Sequence, residues 1–165
     1  METSSFDHDI ELYPPESFQT LLDHEINRSR RYGDPLTLLH LMFETNPDNP
    51  ETYHSAEVFT INALNLRLRD TDIPCKKEHE FLVLMPATDE QGGRIACERL
   101  EKLFHMEHQT YDRVSFALSA FIGMATLPGD SSISSKTLLE NASQALQYAR
   151  DHRLTNTVIY SEMKH

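Results

Sequence analysis

The stretch Arg69 to Asp89 reads RDTDIPCKKEHEFLVLMPATD, and it decides the architecture. Ile73 to Lys77 and Glu80 to Met85 are short apolar-rich runs around a tight polar turn, which predicts two strands joined as a hairpin. Thr88-Asp89-Glu90-Gln91 then reads as a capping box, with the Thr88 hydroxyl accepting an N3 amide and Gln91 reaching back. The helix it opens carries Ile95, Ala96, Leu100 and Leu103 as its apolar residues. Strand, strand and amphipathic helix in direct succession mark a mixed α/β domain.

The reading extends in both directions. Upstream, Pro14-Pro15 opens a helix in which Phe18, Leu21, Leu22 and Ile26 recur at helical spacing, and Gly33 ends it. Leu36 to Phe43 (LTLLHLMF) is a near-continuous apolar run, as expected of a buried strand. Asn46-Pro47-Asp48-Asn49-Pro50 reads as a loop. Ser55 to Leu68 reads as a helix carrying Val58, Phe59, Ile61, Leu64 and Leu68. Downstream, Val114 to Thr126 is strand-like and Pro128-Gly129-Asp130 is its turn. Ser135 caps a last helix bearing Leu138, Leu139, Ala142, Leu146 and Ala149, and Thr157 to Tyr160 closes as a short strand. The expected fold is α/β, a central, mostly antiparallel sheet surrounded by helices. Residues 1–11 read as a polar lead and residues 12–165 as a single domain.

Composition narrows the function classes. The chain has 165 residues, 15 Lys+Arg against 26 Asp+Glu, and a formal net charge of −11. An acidic surface of that kind excludes a role in coating nucleic acid, because phosphate contacts need basic groups. It leaves open a small anionic ligand held by a few local arginines. Cys75 and Cys97 form no CxxC pair and read as buried small hydrophobes in a reducing, cytoplasmic setting. The apolar stretch Val114 to Leu127 is interrupted by Ser115, Ser119, Gly123 and Thr126 and falls short of the roughly 20 residues a bilayer span needs. No membrane association is expected.

Individual residues offer few other sites. His105 and His108 stand at i, i+3, a spacing that can share a metal, but no third ligand is evident and a solvated helix end is expected. Lys76-Lys77 reads either as a phosphate contact or as a solvated turn. His40 reads as a partnered sheet histidine and not as a catalytic base. There is no GxSxG, HExxH or Walker-type loop.

Five segments in order resemble the GGDEF domain of bacterial diguanylate cyclases, from Leu12 to Tyr160. RSRRYGDPLTLLHL (Arg28 to Leu41) is similar to the family's entry helix and first strand. RDTDIPC (Arg69 to Cys75) and EFLVLMPATD (Glu80 to Asp89) resemble the segments flanking its signature hairpin. SFALSAFIGMATLPGD (Ser115 to Asp130) resembles its "S-I-G-V-A" strand, and LLENASQALQYAR (Leu138 to Arg150) its last helix. The resemblance implies a nucleotidyl-cyclase-like fold.

Set against that family pattern, the signature loop is degenerate. Lys77-Glu78-His79-Glu80-Phe81 lacks both glycines, and His79 stands where the pattern supplies a metal-binding carboxylate. The pattern's other metal aspartate falls at Met42, which offers no hard oxygen to magnesium. Its guanine-contacting Asn and Asp have no clear counterparts, the second falling near Tyr53-His54, and "G-R-N" reads as Arg153-Leu154-Thr155. The resemblance therefore implies no cyclase activity, no catalytic residue and no bound magnesium. The family's inhibitory Arg-x-x-Asp site is retained as Arg69 and Asp72 at its usual spacing, with Arg99 in the register of a second arginine. By resemblance these three would bind cyclic di-GMP, arginine pairing with guanine O6/N7 or phosphate and the carboxylate accepting from guanine N1 and N2. Read without the family, Arg69 simply forms an exposed ion pair with Asp72 or Asp70 and implies no ligand. Three expectations stand in turn. The first is a cyclic di-GMP receptor or signalling adaptor with a protein partner, another GGDEF or EAL-type protein being the family-based candidate. The second is a ligand-free interaction or homodimerisation scaffold. The third is residual GTP turnover through Glu78 or Glu80.

Overall fold

The structure is a computed structural model that describes residues 12–105, 109–111, 113–129 and 132–163. The polar lead, Asp130 of the expected turn and His108 lie outside the described residues. Leu36–Asn46 (β1) is the central strand. It pairs antiparallel with Glu80–Pro86 (β3) on one side and with the long Val114–Leu127 (β5) on the other. Ile73–Lys77 (β2) closes one edge against β3, and Gln109–Tyr111 (β4) closes the other against β5. Val158–Ile159 (β6) adds the one parallel pairing among the described strands, alongside β5. The expected mostly antiparallel sheet is present. Among the described residues no helix is long and apolar enough to cross a membrane.

Both faces of the sheet are covered, which is why β1 and β3 read as continuous apolar runs and not as alternating ones. Leu39, Leu41 and Phe43 of β1 pack with Phe81 and Val83 of β3 under two helices, Pro50–Arg67 (α2) and Glu90–Phe104 (α3). Leu36 and Leu38 pack with Leu82 and Leu84 on the opposite face, under Pro15–Tyr32 (α1) and Ser135–Asp151 (α4). Cys75 and Cys97 are buried among these side chains as expected, and burial drives the Cys97 thiol up to about 12. Gly123 lets α4 lie directly on β5: a Cβ there would collide with the backbone of Ala142 and Leu146.

Element ends are where the sequence reading shifts. Helix α1 starts at Pro15 and ends at Gly33, whose φ of 77° gives the left-handed cap that glycine favours. Helix α2 begins at Pro50 and not at Ser55, because Asn49 accepts a bond from the Thr52 amide (2.8 Å) and Pro50 suits the first helical position. Asp89, not Thr88, caps α3 by accepting from the Gly92 amide at 2.8 Å. Ser134, not Ser135, caps α4. The buried side of α3 is Gly93, Cys97, Leu100 and Phe104, so Ile95 faces outward at 42% exposure. The last strand is only Val158–Ile159, followed by a 3-10 turn at Tyr160–Glu162. Ahead of α1, the Tyr13 amide donates to Pro74 O at 2.9 Å, and Tyr13 bridges Cys75 in parallel on the outer edge of β2.

Candidate functional site

Arg69 and Asp72 sit in the connection between α2 and β2. The chain turns back there because the Asp72 carboxylate accepts from the Arg69 amide (Oδ2, 2.9 Å) while the Asp72 amide bonds Arg69 O at 3.0 Å. The two side chains also pair, with Arg69 Nη2 3.6 Å from Asp72 Oδ1. That length is beyond a hydrogen bond. Asp72 Oδ1 is therefore buried without a hydrogen-bond partner among the described residues, on a side chain only 3% exposed. Burial raises the Asp72 pKa above the ordinary aspartate value, and the amide and charge of Arg69 only partly offset it.

These residues line a cleft of about 220 Å³ between the end of α2 and the first turns of α3. Arg99 lines the same cleft from α3, so the three residues singled out in the sequence do come together around one space. Arg67, Thr88 and the outward-facing Ile95 are among its other walls, and the sequence reading assigns none of them to a site. Three arginines against one buried carboxylate make this cleft locally cationic on an acidic chain. Among the described residues Arg99 makes no ion pair. Asp72 and Arg69 also border a second, larger cleft of about 620 Å³, walled by Tyr13, Pro14, Asn65 and Pro74. The Arg69–Asp72 pair thus stands between two openings.

The signature hairpin occupies the other end of β3. Lys77 pairs with Glu80 across it, so Glu78 and His79 form a two-residue turn. Glu78 has φ of 57°, a left-handed conformation that such turns usually assign to Gly, Asn or Asp. His79 Nδ1 shares a 2.8 Å hydrogen bond with the Tyr53 hydroxyl, and the two rings meet edge to face at 5.1 Å. Lys76 pairs with Glu57 of α2 at 3.0 Å and donates to Glu78 O at 2.6 Å, so it is engaged within the chain. Phe81 is fully buried beside Phe43 and belongs to the core, not to the turn. On the other face of the sheet His40 Nε2 lies 2.6 Å from Glu80 Oε1, the partnered histidine expected from sequence. Met42 packs against the cluster of Phe121, Leu146 and Ala149. Beyond α4, Arg153 reaches back to Glu44 (2.8 Å) and lies over the Phe121 ring at 4.9 Å. His105 Nε2 bonds Thr155 O at 2.9 Å, which commits that ring nitrogen to the backbone.

The family model for "Diguanylate cyclase, GGDEF domain" matches residues 58–155, more than half of the chain. The chain belongs to the GGDEF family. No curated protein matches this GGDEF domain by sequence. Among solved structures it is similar to the diguanylate cyclase SiaD from Pseudomonas aeruginosa, solved in complex with its activator SiaC. The TM-score is 0.80 at 19% identity, over 92% of this chain and 60% of SiaD. This GGDEF domain therefore spans less than two thirds of that relative. The active GGEEF domain of a diguanylate cyclase from Vibrio cholerae aligns with a TM-score of 0.78 at 14% identity, covering 93% of this chain and 100% of that one. The GGDEF domain of DgcB from Caulobacter crescentus, in complex with c-di-GMP, gives 0.72 at 13%, covering 93% and 94%. At these identities the likeness is one of fold.

Proposed function

We propose that this GGDEF domain is a cyclic di-GMP receptor that does not make the dinucleotide, and that it passes the bound state to a protein partner. One observation carries the reading: Arg69, Asp72 and Arg99 line a single cleft in which a buried carboxylate oxygen lacks a donor. A buried acceptor without a partner costs about 1–3 kcal/mol, a cost that a donating ligand would relieve. Guanine offers the matching donors at N1 and N2, and its O6/N7 edge and the phosphates suit the surrounding guanidiniums. That relatives are solved with cyclic di-GMP and with an activator protein supports both halves of the proposal.

The loss of synthesis rests on donor chemistry at the hairpin end. Magnesium prefers hard oxygens at near-octahedral geometry. Met42 offers a thioether, and His79 is engaged with Tyr53. Glu80 is paired with His40 and Glu44 with Arg153. This set does not suit the ion, and without it the charge of a triphosphate has no counterweight.

Calorimetric titration with cyclic di-GMP tests the receptor role. Heat with the wild type and its loss in Arg69→Ala is the expected outcome; no heat with either protein overturns it. Incubation with GTP and Mg²⁺ or Mn²⁺ is expected to release no pyrophosphate, and turnover dependent on Glu78 or Glu80 would overturn the second half. A ligand-free scaffold is the second reading, favoured by the fact that Arg69 already has Asp72 and Thr88 as partners. Absent nucleotide binding together with a co-purifying partner would select it.

A further inference from the structure

Thr88 lies just past the end of β3, 6% exposed, where a helix cap was expected. Its hydroxyl is used otherwise. It donates to Pro86 O at 2.9 Å and accepts from Arg69 Nη2. A hydroxyl has one proton, so the bond to Pro86 O turns its lone pairs toward the guanidinium. Asp72 Oδ1 lies 3.6 Å from the same Nη2, so one nitrogen of the fork is held from two sides. Among the described residues Nη1 and Nε of Arg69 have no partner.

The anchor itself is fixed from below. Thr37 Oγ1 in β1 donates to Thr88 O at 2.8 Å, and the Thr126 hydroxyl in β5 stands 2.9 Å from Thr37 Oγ1. With the Thr37 proton committed to the carbonyl, Thr126 is the donor of that pair. The two central strands thus fix the Thr88 backbone through its carbonyl, and the Thr88 hydroxyl in turn meets Arg69, a side chain that is itself 58% exposed.

We propose that Thr88 is a positioning residue for ligand recognition by Arg69. It holds one end of the guanidinium before the ligand arrives and leaves the remaining donors for it. The inference rests on the receptor reading given above. An arginine free to rotate loses entropy when a ligand orders it, and an arginine already held loses less, which strengthens binding without a new contact. The hydroxyl is essential to this role and the methyl is not. Valine removes the acceptor with little change of shape, whereas serine keeps it. Neither touches the Thr88 carbonyl that Thr37 bonds.

Two measurements on the full chain decide it. In calorimetry with cyclic di-GMP, Thr88→Val is expected to weaken binding about tenfold. Thr88→Ser should bind as the wild type does. A Thr88→Val affinity equal to wild type, with Arg69→Ala inactive, overturns the positioning role and leaves the receptor reading intact. The second measurement needs no ligand. NMR of the Arg69 guanidinium should show hindered rotation and slowed proton exchange in the wild type and Thr88→Ser, lost in Thr88→Val. Free rotation in the wild type overturns the proposal even if Thr88→Val does not fold. If the wild type gives no heat with cyclic di-GMP, the receptor reading falls, and the NMR comparison still decides whether Thr88 holds Arg69.

Discussion

The two ends of strand β3 treat charge in opposite ways. At the hairpin end the charged groups are mostly paired within the chain, Glu80 with His40, Lys76 with Glu57 and Glu44 with Arg153, and His79 bonds Tyr53, although His40 Nδ1 is buried without a partner among the described residues. At the other end a buried carboxylate oxygen is left without a donor, and Arg99 borders the cleft with no carboxylate paired to it among the described residues. A set of closed pairs is stable but offers a ligand little, since each contact must first displace an existing one. An open set is costly to the fold and useful to a ligand. This difference is why the proposed recognition site is the Arg69 end.

The largest expected effect falls on Asp72. Asp72→Ala removes the acceptor of the Arg69 amide and should cost about 1–2 kcal/mol in chemical denaturation. It should also abolish cyclic di-GMP binding. Asp72→Asn keeps an acceptor and removes the desolvated charge, so its stability at pH 7 should match or exceed wild type while binding is still lost. If Asp72→Asn proves markedly less stable than wild type at pH 7, the buried carboxylate is not the costly group the comparison requires. Burial raises this pKa above 3.8. A carboxyl whose folded pKa is raised contributes stability that is present below the unfolded value and lost as pH rises through the folded one. Acidification through the range just above 3.8 should therefore favour the fold at this residue while removing the anionic acceptor. Affinity should decline there before unfolding begins, as titrations and melts over a pH series would show.

Arg99 gives a smaller effect of cleaner type. Arg99→Ala should weaken cyclic di-GMP binding about tenfold, the scale of one hydrogen bond to a charged group. Its exposed side chain should leave denaturation midpoints unchanged within about 0.5 kcal/mol. A stability loss without a binding loss would make Arg99 structural. The smallest effect is at the hairpin. Glu78→Gly relieves the left-handed strain of a residue with φ of 57° and should gain about 0.5–1 kcal/mol after the added unfolded-state entropy. Binding should not change, because the proposed function puts the ligand at the other end of β3.

The sequence made the hairpin, β1 and the apolar faces of α1 and α4 legible, because each is a local pattern of period and punctuation. Helix starts were less legible. Thr88 has the right chemistry for a cap, but its hydroxyl is consumed by Arg69, 19 residues upstream, and that competition is invisible locally. Ile95 looked like core because it fits a helical stripe, yet the close approach of α3 at Gly93 rotates the buried face past it. The three-residue β4 carries too little apolar signal to be seen. Arg69, Asp72 and Arg99 were found through family register, which no period or spacing supplied. Arg67 and Thr88 had no such register and became visible only as walls of one cleft. The Arg153–Glu44 pair, 109 residues apart, had no local trace at all.

Tyr13 sets the mechanical character of the larger opening. One backbone hydrogen bond and one parallel bridge stitch it to the rim of β2, and with Pro14 it walls the 620 Å³ cleft that Asp72 shares. The opposite walls belong to α2 and the α2–β2 turn, which are built into the domain. The entry segment is tied in on both sides of Tyr13, by Leu12 packed against the core and by Pro14 O accepting from the Phe18 amide. The segment that enters the domain and the turn that carries Asp72 thus share one space, so anything filling that cleft touches both at once.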